Sequence, residues 1–137
     1  MITVHHLEDS RSQRILWLLE ELGVDYEIRR YDRDTETMLG PESLKKIHPL
    51  GKSPMIEDDG RVVAESGAII EYLVANYGEG RLIPPAGSDE RLRYTYWLHY
   101  AEGTLMPLSD TPLVFERLSQ PPMPLLLRPV GGLIGAG

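Results

Sequence analysis

The chain has 137 residues, 42% hydrophobic and 26% charged, a globular balance with room for one compact domain and part of another. Cysteine is absent, which excludes disulfides, thiolate metal sites and a cysteine nucleophile, so any thiol chemistry must use a thiol from elsewhere. The net charge of −7 belongs to residues 1–80, with 9 Lys and Arg against 16 Asp and Glu, while residues 81–137 hold 5 of each; no basic face invites nucleic acid.

No apolar run approaches the ~18 residues that cross a bilayer, and no leader segment with a cleavage site is visible, so a cytoplasmic location away from the membrane is expected. Residues 2–7 read as a strand. In 14–22, Ile15, Leu18, Leu19 and Leu22 recur at helical spacing, and Gly23 follows where a C-terminal cap belongs. Residues 25–31, "DYEIRRY", alternate as a second strand. "GPESLKKI", 40–47, predicts a short helix with Pro41 at its first position and His48-Pro49 as its stop. "PMIEDDGRVVAES", 54–66, predicts a hairpin turning at Asp58-Asp59-Gly60, with Gly60 suited to positive φ. From Ser66 a helical stripe of Ile69, Ile70, Leu73 and Tyr77 runs to Gly78. The order β-α-β-α-β-β-α over residues 1–78 implies an α/β unit, a mixed sheet with helices on its faces.

Residues 79–88 are a Gly- and Pro-rich linker. A helix is expected over roughly 89–105, carrying Leu92, Tyr96, His99 and Tyr100 on one side, with Met106-Pro107 interrupting it and a weaker helical pattern over 112–119. Beyond "PPMP" no period persists. Residues 89–137 therefore read as the start of an all-α domain, incomplete as it stands.

Three motifs bear on chemistry. Ser10-Arg11-Ser12-Gln13 stands between the first strand and first helix and fits a capping box with Ser10 as N-cap. Pro54 opens a strand, where it cannot donate to the ladder. Glu65-Ser66 precedes an apolar helix, where Ser66 suits an N-cap and free N–H groups make an anion site. His5 and His6 must point to opposite faces of their strand, and no metal site is read.

On the segments "HPLGKSPMI" and "AESGAIIEYL", the chain resembles the cytosolic glutathione S-transferases. The resemblance implies a thioredoxin-like domain that binds glutathione, followed by a helical domain. The implied activity is activation of glutathione, as substrate, to a thiolate that attacks a small electrophile, without a metal. Glutathione-dependent disulfide or peroxide reduction, or a non-catalytic interaction module, are the alternatives. By resemblance, Ser53–Pro54 is a cis peptide whose Ser53 backbone pairs with the ligand's cysteinyl backbone, and Lys52 meets its glycyl carboxylate. Glu65 meets the γ-glutamyl ammonium, and Ser66 the adjoining carboxylate. The thiolate donor is Ser10, with Ser12 as the alternative and backbone N–H groups at Arg11 as a third. Tyr96 or Tyr100 could border the electrophile, and a homodimer is expected.

Overall fold

The computed structural model describes residues 1–118, which divide into two units, Met1–Arg91 and a second beginning at Leu92. The first unit contains strand β1 (Ile2–Leu7), helix α1 (Gln13–Leu22), strand β2 (Tyr26–Tyr31), a 3-10 helix (Glu42–Lys46), strands β3 (Met55–Asp58) and β4 (Arg61–Ala64), and helix α2 (Ser66–Tyr77). β2 lies parallel to β1, as a strand returning through a helical crossover must. β3 lies antiparallel to β1, and β4 antiparallel to β3, giving the sheet order β2-β1-β3-β4. This is the mixed sheet that the order of elements implies, in the thioredoxin-like arrangement that the resemblance implies.

The pleat divides the core. Ile2 and Val4 of β1 and Ile56 of β3 meet Ile15, Leu19 and Leu22 of α1 and Ile69 and Leu73 of α2, all nearly or fully buried. On the other face Leu7 and Met55 pack against Leu44 of the 3-10 helix. Each such side chain contributes about 1.5–3 kcal/mol of apolar burial. β2 is one of the two edge strands, with β4 at the other side. Its middle residues are exposed, Ile28 among them, because the buried core lies over β1 and β3.

Turn chemistry fixes the connections. Gly23 takes φ 68°. Its N–H bonds to the Glu20 carbonyl while the Val24 N–H bonds to that of Leu19, the two bonds that close a helix through a left-handed residue. In the β3–β4 turn both Asp59 (φ 47°) and Gly60 (φ 79°) are left-handed, the geometry of a tight two-residue hairpin. Arg81 donates to the carbonyl of Leu22 at 2.8 Å, tying the end of α1 to the loop after α2.

Some local expectations fail. The helix expected over 40–47 is a five-residue 3-10 helix, and Pro41 stands outside it with extended ψ 151°. His48 precedes Pro49 and is barred from continuing a helix, so little more than one turn fits. Farther on, Ser88 caps α3 (Asp89–Tyr100) by accepting the Arg91 N–H at 3.1 Å. Met106-Pro107 does not end the helical run. A π-helical turn over Ala101–Leu105 leads straight into α4 (Met106–Leu118), which carries Pro112 inside it. Pro107 sits in the first turn of α4, and the wider turn before it absorbs the missing donor. In the second unit Tyr96, Trp97 and Tyr100 pack on one another, with ring centroids 5.2–6.0 Å apart. The sequence readings at "PPMP" and beyond, and the last residue of the pattern over 112–119, lie outside the described residues.

Candidate functional site

One end of the sheet gathers the motifs. β1 leaves the sheet at Leu7, β3 enters it at Met55 and β4 leaves it at Ala64, and the pairings His5–Met55 and Met55–Ala64 make these neighbouring ends. Residues 8–12, 51–54 and 65–66 are therefore the three segments that adjoin one edge.

The hydroxyls there form a connected group. Ser53 Oγ donates to the His5 carbonyl (2.7 Å) and accepts the Leu7 N–H (3.2 Å), so its side chain extends the β1–β3 ladder by one rung. Ser10 Oγ donates to the Leu7 carbonyl (2.7 Å), lies 2.7 Å from Ser12 Oγ and 3.4 Å from Ser53 Oγ, and accepts the Ser12 N–H at 3.3 Å. Ser12 Oγ lies 2.8 Å from His6 Nδ1. Ser12 is fully buried, whereas Ser10 keeps part of its surface.

The capping box is not formed. α1 begins at Gln13, the cap position is Ser12, and no side chain caps it. Ser12 already has helical angles, φ −62° and ψ −22°, and its hydroxyl is engaged by His6 and Ser10. Ser66 is not an N-cap either. It is the first residue of α2, because the Glu65 carbonyl accepts the Ile69 N–H at 2.9 Å and Glu65 takes the cap position. Glu65 has φ 73° and ψ 128°, a backbone state that costs an L-residue about 1–3 kcal/mol and gathers at ligand sites.

The Ser53–Pro54 peptide is cis, and Pro54 is buried. Lys52 and Glu65 are exposed, and neither is engaged by another side chain among the described residues. Gly51 must be glycine. Its φ is 59°, and a Cβ there would stand 2.6 Å from Lys45 Cγ.

Two supporting residues carry no sequence signal. Arg33 spreads its guanidinium over three carbonyls, with Nε to Glu8 (2.9 Å), Nη2 to Asp9 (2.9 Å) and Nη1 to Met38 (2.7 Å). It thereby pins the turn before Ser10 to the loop after β2. His6 reaches Ser12 because the pleat turns it away from His5. His5 points to the other face, fully buried, with Nδ1 2.9 Å from Tyr31 Oη and Nε2 3.8 Å from Glu57. Burial is the main reason its pKa is lowered, with Arg29 adding and Glu57 opposing. Among the described residues no cluster of three or more His, Asp or Glu could hold a metal, and no helix is long and apolar enough to cross a membrane.

The sequence profile of the glutathione S-transferase N-terminal domain matches residues 1–75. The chain belongs to the glutathione S-transferase family. It is 48% identical over 109 residues to glutathione S-transferase 3 of Schizosaccharomyces pombe, covering 78% of this chain and 43% of that protein. It is 37% identical over 130 residues to glutathione S-transferase 1 of Saccharomyces cerevisiae, covering 90% and 55%. Among solved structures, a glutathione S-transferase from Actinobacillus pleuropneumoniae is similar with a TM-score of 0.75 at 36% identity, covering 99% of this chain and 61% of that one. The chain spans about half the length of the curated relatives it matches.

Proposed function

We propose that residues 1–78 bind glutathione and ionise its thiol for attack on an electrophile, the glutathione transferase reaction. The observation that carries this is the group of three serine hydroxyls at one end of the sheet, Ser10 and Ser12 from the β1–α1 junction and Ser53 from the segment before β3. Lys52 meets the glycyl carboxylate and the Ser53 backbone pairs with the cysteinyl backbone. Glu65 meets the γ-glutamyl ammonium. Ser66 and the start of α2 meet its carboxylate, as a helix N-terminus does with an anion. The free side chains of Lys52 and Glu65, and the costly backbone angles of Glu65, support this assignment.

A free thiol with pKa ~8.5 is only about 3% ionised at pH 7. Lowering it by ~2 units requires about 2.7 kcal/mol in favour of the thiolate. A hydroxyl donor to an anion contributes about 1.5–3 kcal/mol and a helix N-terminus about 0.3–1. The partly exposed Ser10 suits the donor role better than the fully buried Ser12. Its proton turns from the Leu7 carbonyl to the thiolate, the stronger acceptor. The thiol proton passes to solvent, the sulfur bonds to the electrophilic carbon, and the leaving group departs with its electron pair.

The further readings follow the family resemblance: residues 79–88 as linker, 89–137 as the start of the helical domain, the protein a cytoplasmic homodimer, and the second substrate a small electrophile.

Equilibrium dialysis with reduced glutathione tests the binding site. Glu65→Ala and Ser66→Ala each weaken binding more than they weaken folding, with a loss of about tenfold for a charge-assisted contact of about 1.5 kcal/mol. Unchanged affinity with a lowered melting temperature would assign both residues to structure alone.

A further inference from the structure

Protons can be counted through the serine group. Three contacts run in series: His6 Nδ1 to Ser12 Oγ at 2.8 Å, Ser12 Oγ to Ser10 Oγ at 2.7 Å, and Ser10 Oγ to the Leu7 carbonyl at 2.7 Å. Each needs one proton. The two hydroxyls supply two, and the Leu7 carbonyl supplies none. Ser53 does not help, because its own proton goes to the His5 carbonyl. The third proton can come only from His6 Nδ1. With Nδ1 protonated, His6 donates to Ser12, Ser12 turns to Ser10 at 2.7 Å, a closer acceptor than the Leu7 carbonyl at 3.4 Å, and Ser10 donates outward. With Nδ1 bare, Ser12 turns back to His6, and the single Ser10 proton must choose between Ser12 and the outward direction.

We propose that His6 is a positioning residue for the thiol-activating hydroxyl, its Nδ1–H directing the Ser12 proton onto Ser10 so that the Ser10 proton is left for the glutathione thiolate. The proposal rests on the reading of Ser10 as the thiolate donor. His6 does not touch the ligand and acts through Ser12, whose burial keeps water from supplying the missing proton. A hydroxyl that accepts a hydrogen bond is also the better donor, by roughly 10–30% of a bond. The pair His6 and Ser12 therefore both aims Ser10 and strengthens it.

The test reads the pKa of the thiol of bound glutathione, from thiolate absorbance against pH, in the full chain with reduced glutathione at saturation. His6→Leu fills the same space without a donor. It raises the bound-thiol pKa by about half a unit, a roughly threefold loss of thiolate below the midpoint. Ser12→Ala cuts the series at its next link and gives the same shift, which keeps the test open if His6→Leu folds poorly. His6→Asn places an amide N–H where Nδ1 stood and restores the parent value. In a Ser10→Ala background, His6→Leu adds no further shift, because its effect passes through Ser10.

If Ser10→Ala raises the pKa while His6→Leu and Ser12→Ala leave it unchanged, the positioning role is overturned and Ser10 keeps its place. If His6→Leu shifts the pKa equally with and without Ser10, His6 acts by another route and the proposal also falls. If Ser10→Ala itself produces no shift, the reading of Ser10 and the role of His6 fall together. A lower melting temperature without a pKa shift in His6→Leu would reduce the contact to packing.

Discussion

Arg33→Met removes three hydrogen bonds at once and leaves a side chain of similar reach. The guanidinium holds the Glu8, Asp9 and Met38 carbonyls together. Two of these residues are in left-handed backbone conformations, Asp9 at φ 47° and Met38 at φ 59°. A hydrogen bond from a charged group contributes about 1.5–3 kcal/mol when sheltered. Arg33 is only half-buried, and water can reach freed carbonyls, so about 0.5–1 kcal/mol per bond is the appropriate figure. The sum is about 1.5–3 kcal/mol, or roughly 10 °C in melting temperature for a unit of this size. Arg33→Lys recovers less than half of this, because one ammonium cannot reach three carbonyls spread around a planar fork. Circular dichroism melts give the stability change. Amide hydrogen exchange at Asp9, Ser10 and Met38 gives its location, with faster exchange there and little change at Val4 or Ile56. A melting temperature within 1–2 °C of the parent, with unchanged exchange in both loops, would refute the clamp.

Asp58 is buried and accepts hydrogen bonds from Tyr77 and Tyr72, which chiefly through Tyr77 lower its pKa from 3.8 and raise that of Tyr77 to about 12. The folded state thus favours the carboxylate and the neutral phenol. The Asp58 contribution is present above pH 3.8 and is lost as pH falls through its lower folded value; the Tyr77 contribution is present below pH 10 and is lost as pH rises towards 12. Tyr77→Phe lowers stability by about 1–2 kcal/mol at pH 7 and flattens both limbs in urea titrations, whereas unchanged limbs would remove the pair from the stability profile. Gly23→Ala costs only about 1 kcal/mol, the left-handed backbone being the sole obstacle, while Gly78→Ala costs more because its Cβ would collide with the Val74 carbonyl oxygen. Equal thermal shifts for the two variants would contradict that distinction.

The elements legible in the sequence were those whose pattern is local. The stripe from Ile15 to Leu22, the Gly23 cap and the Asp59-Gly60 turn each declare themselves within one window, and β1, α1, the hairpin and α2 follow. The cap assignments at Ser10 and Ser66 failed for one shared reason. Capping residues are recognised by type, but the start of a helix is set by backbone angles, and here Ser12 and Glu65 take the cap positions. The resemblance put Ser10 ahead of Ser12, but the physical difference between them, burial and the His6 contact that the pleat of β1 creates, is not written in their spacing. Arg33 was invisible because its partners are backbone carbonyls, which leave no trace in residue type. The helical run past Pro107 was missed because a π-helical turn has no sequence period of its own.

The proposed role of the β1–α1 junction is to hold glutathione with its thiol ionised. Ultraviolet difference spectroscopy of the parent chain, titrated with reduced glutathione at pH 7, reads that directly. A saturable thiolate band is expected, with a pH midpoint about 1–2 units below the free thiol's ~8.5. Binding without a thiolate band, or a midpoint unmoved from that of free glutathione, would contradict it.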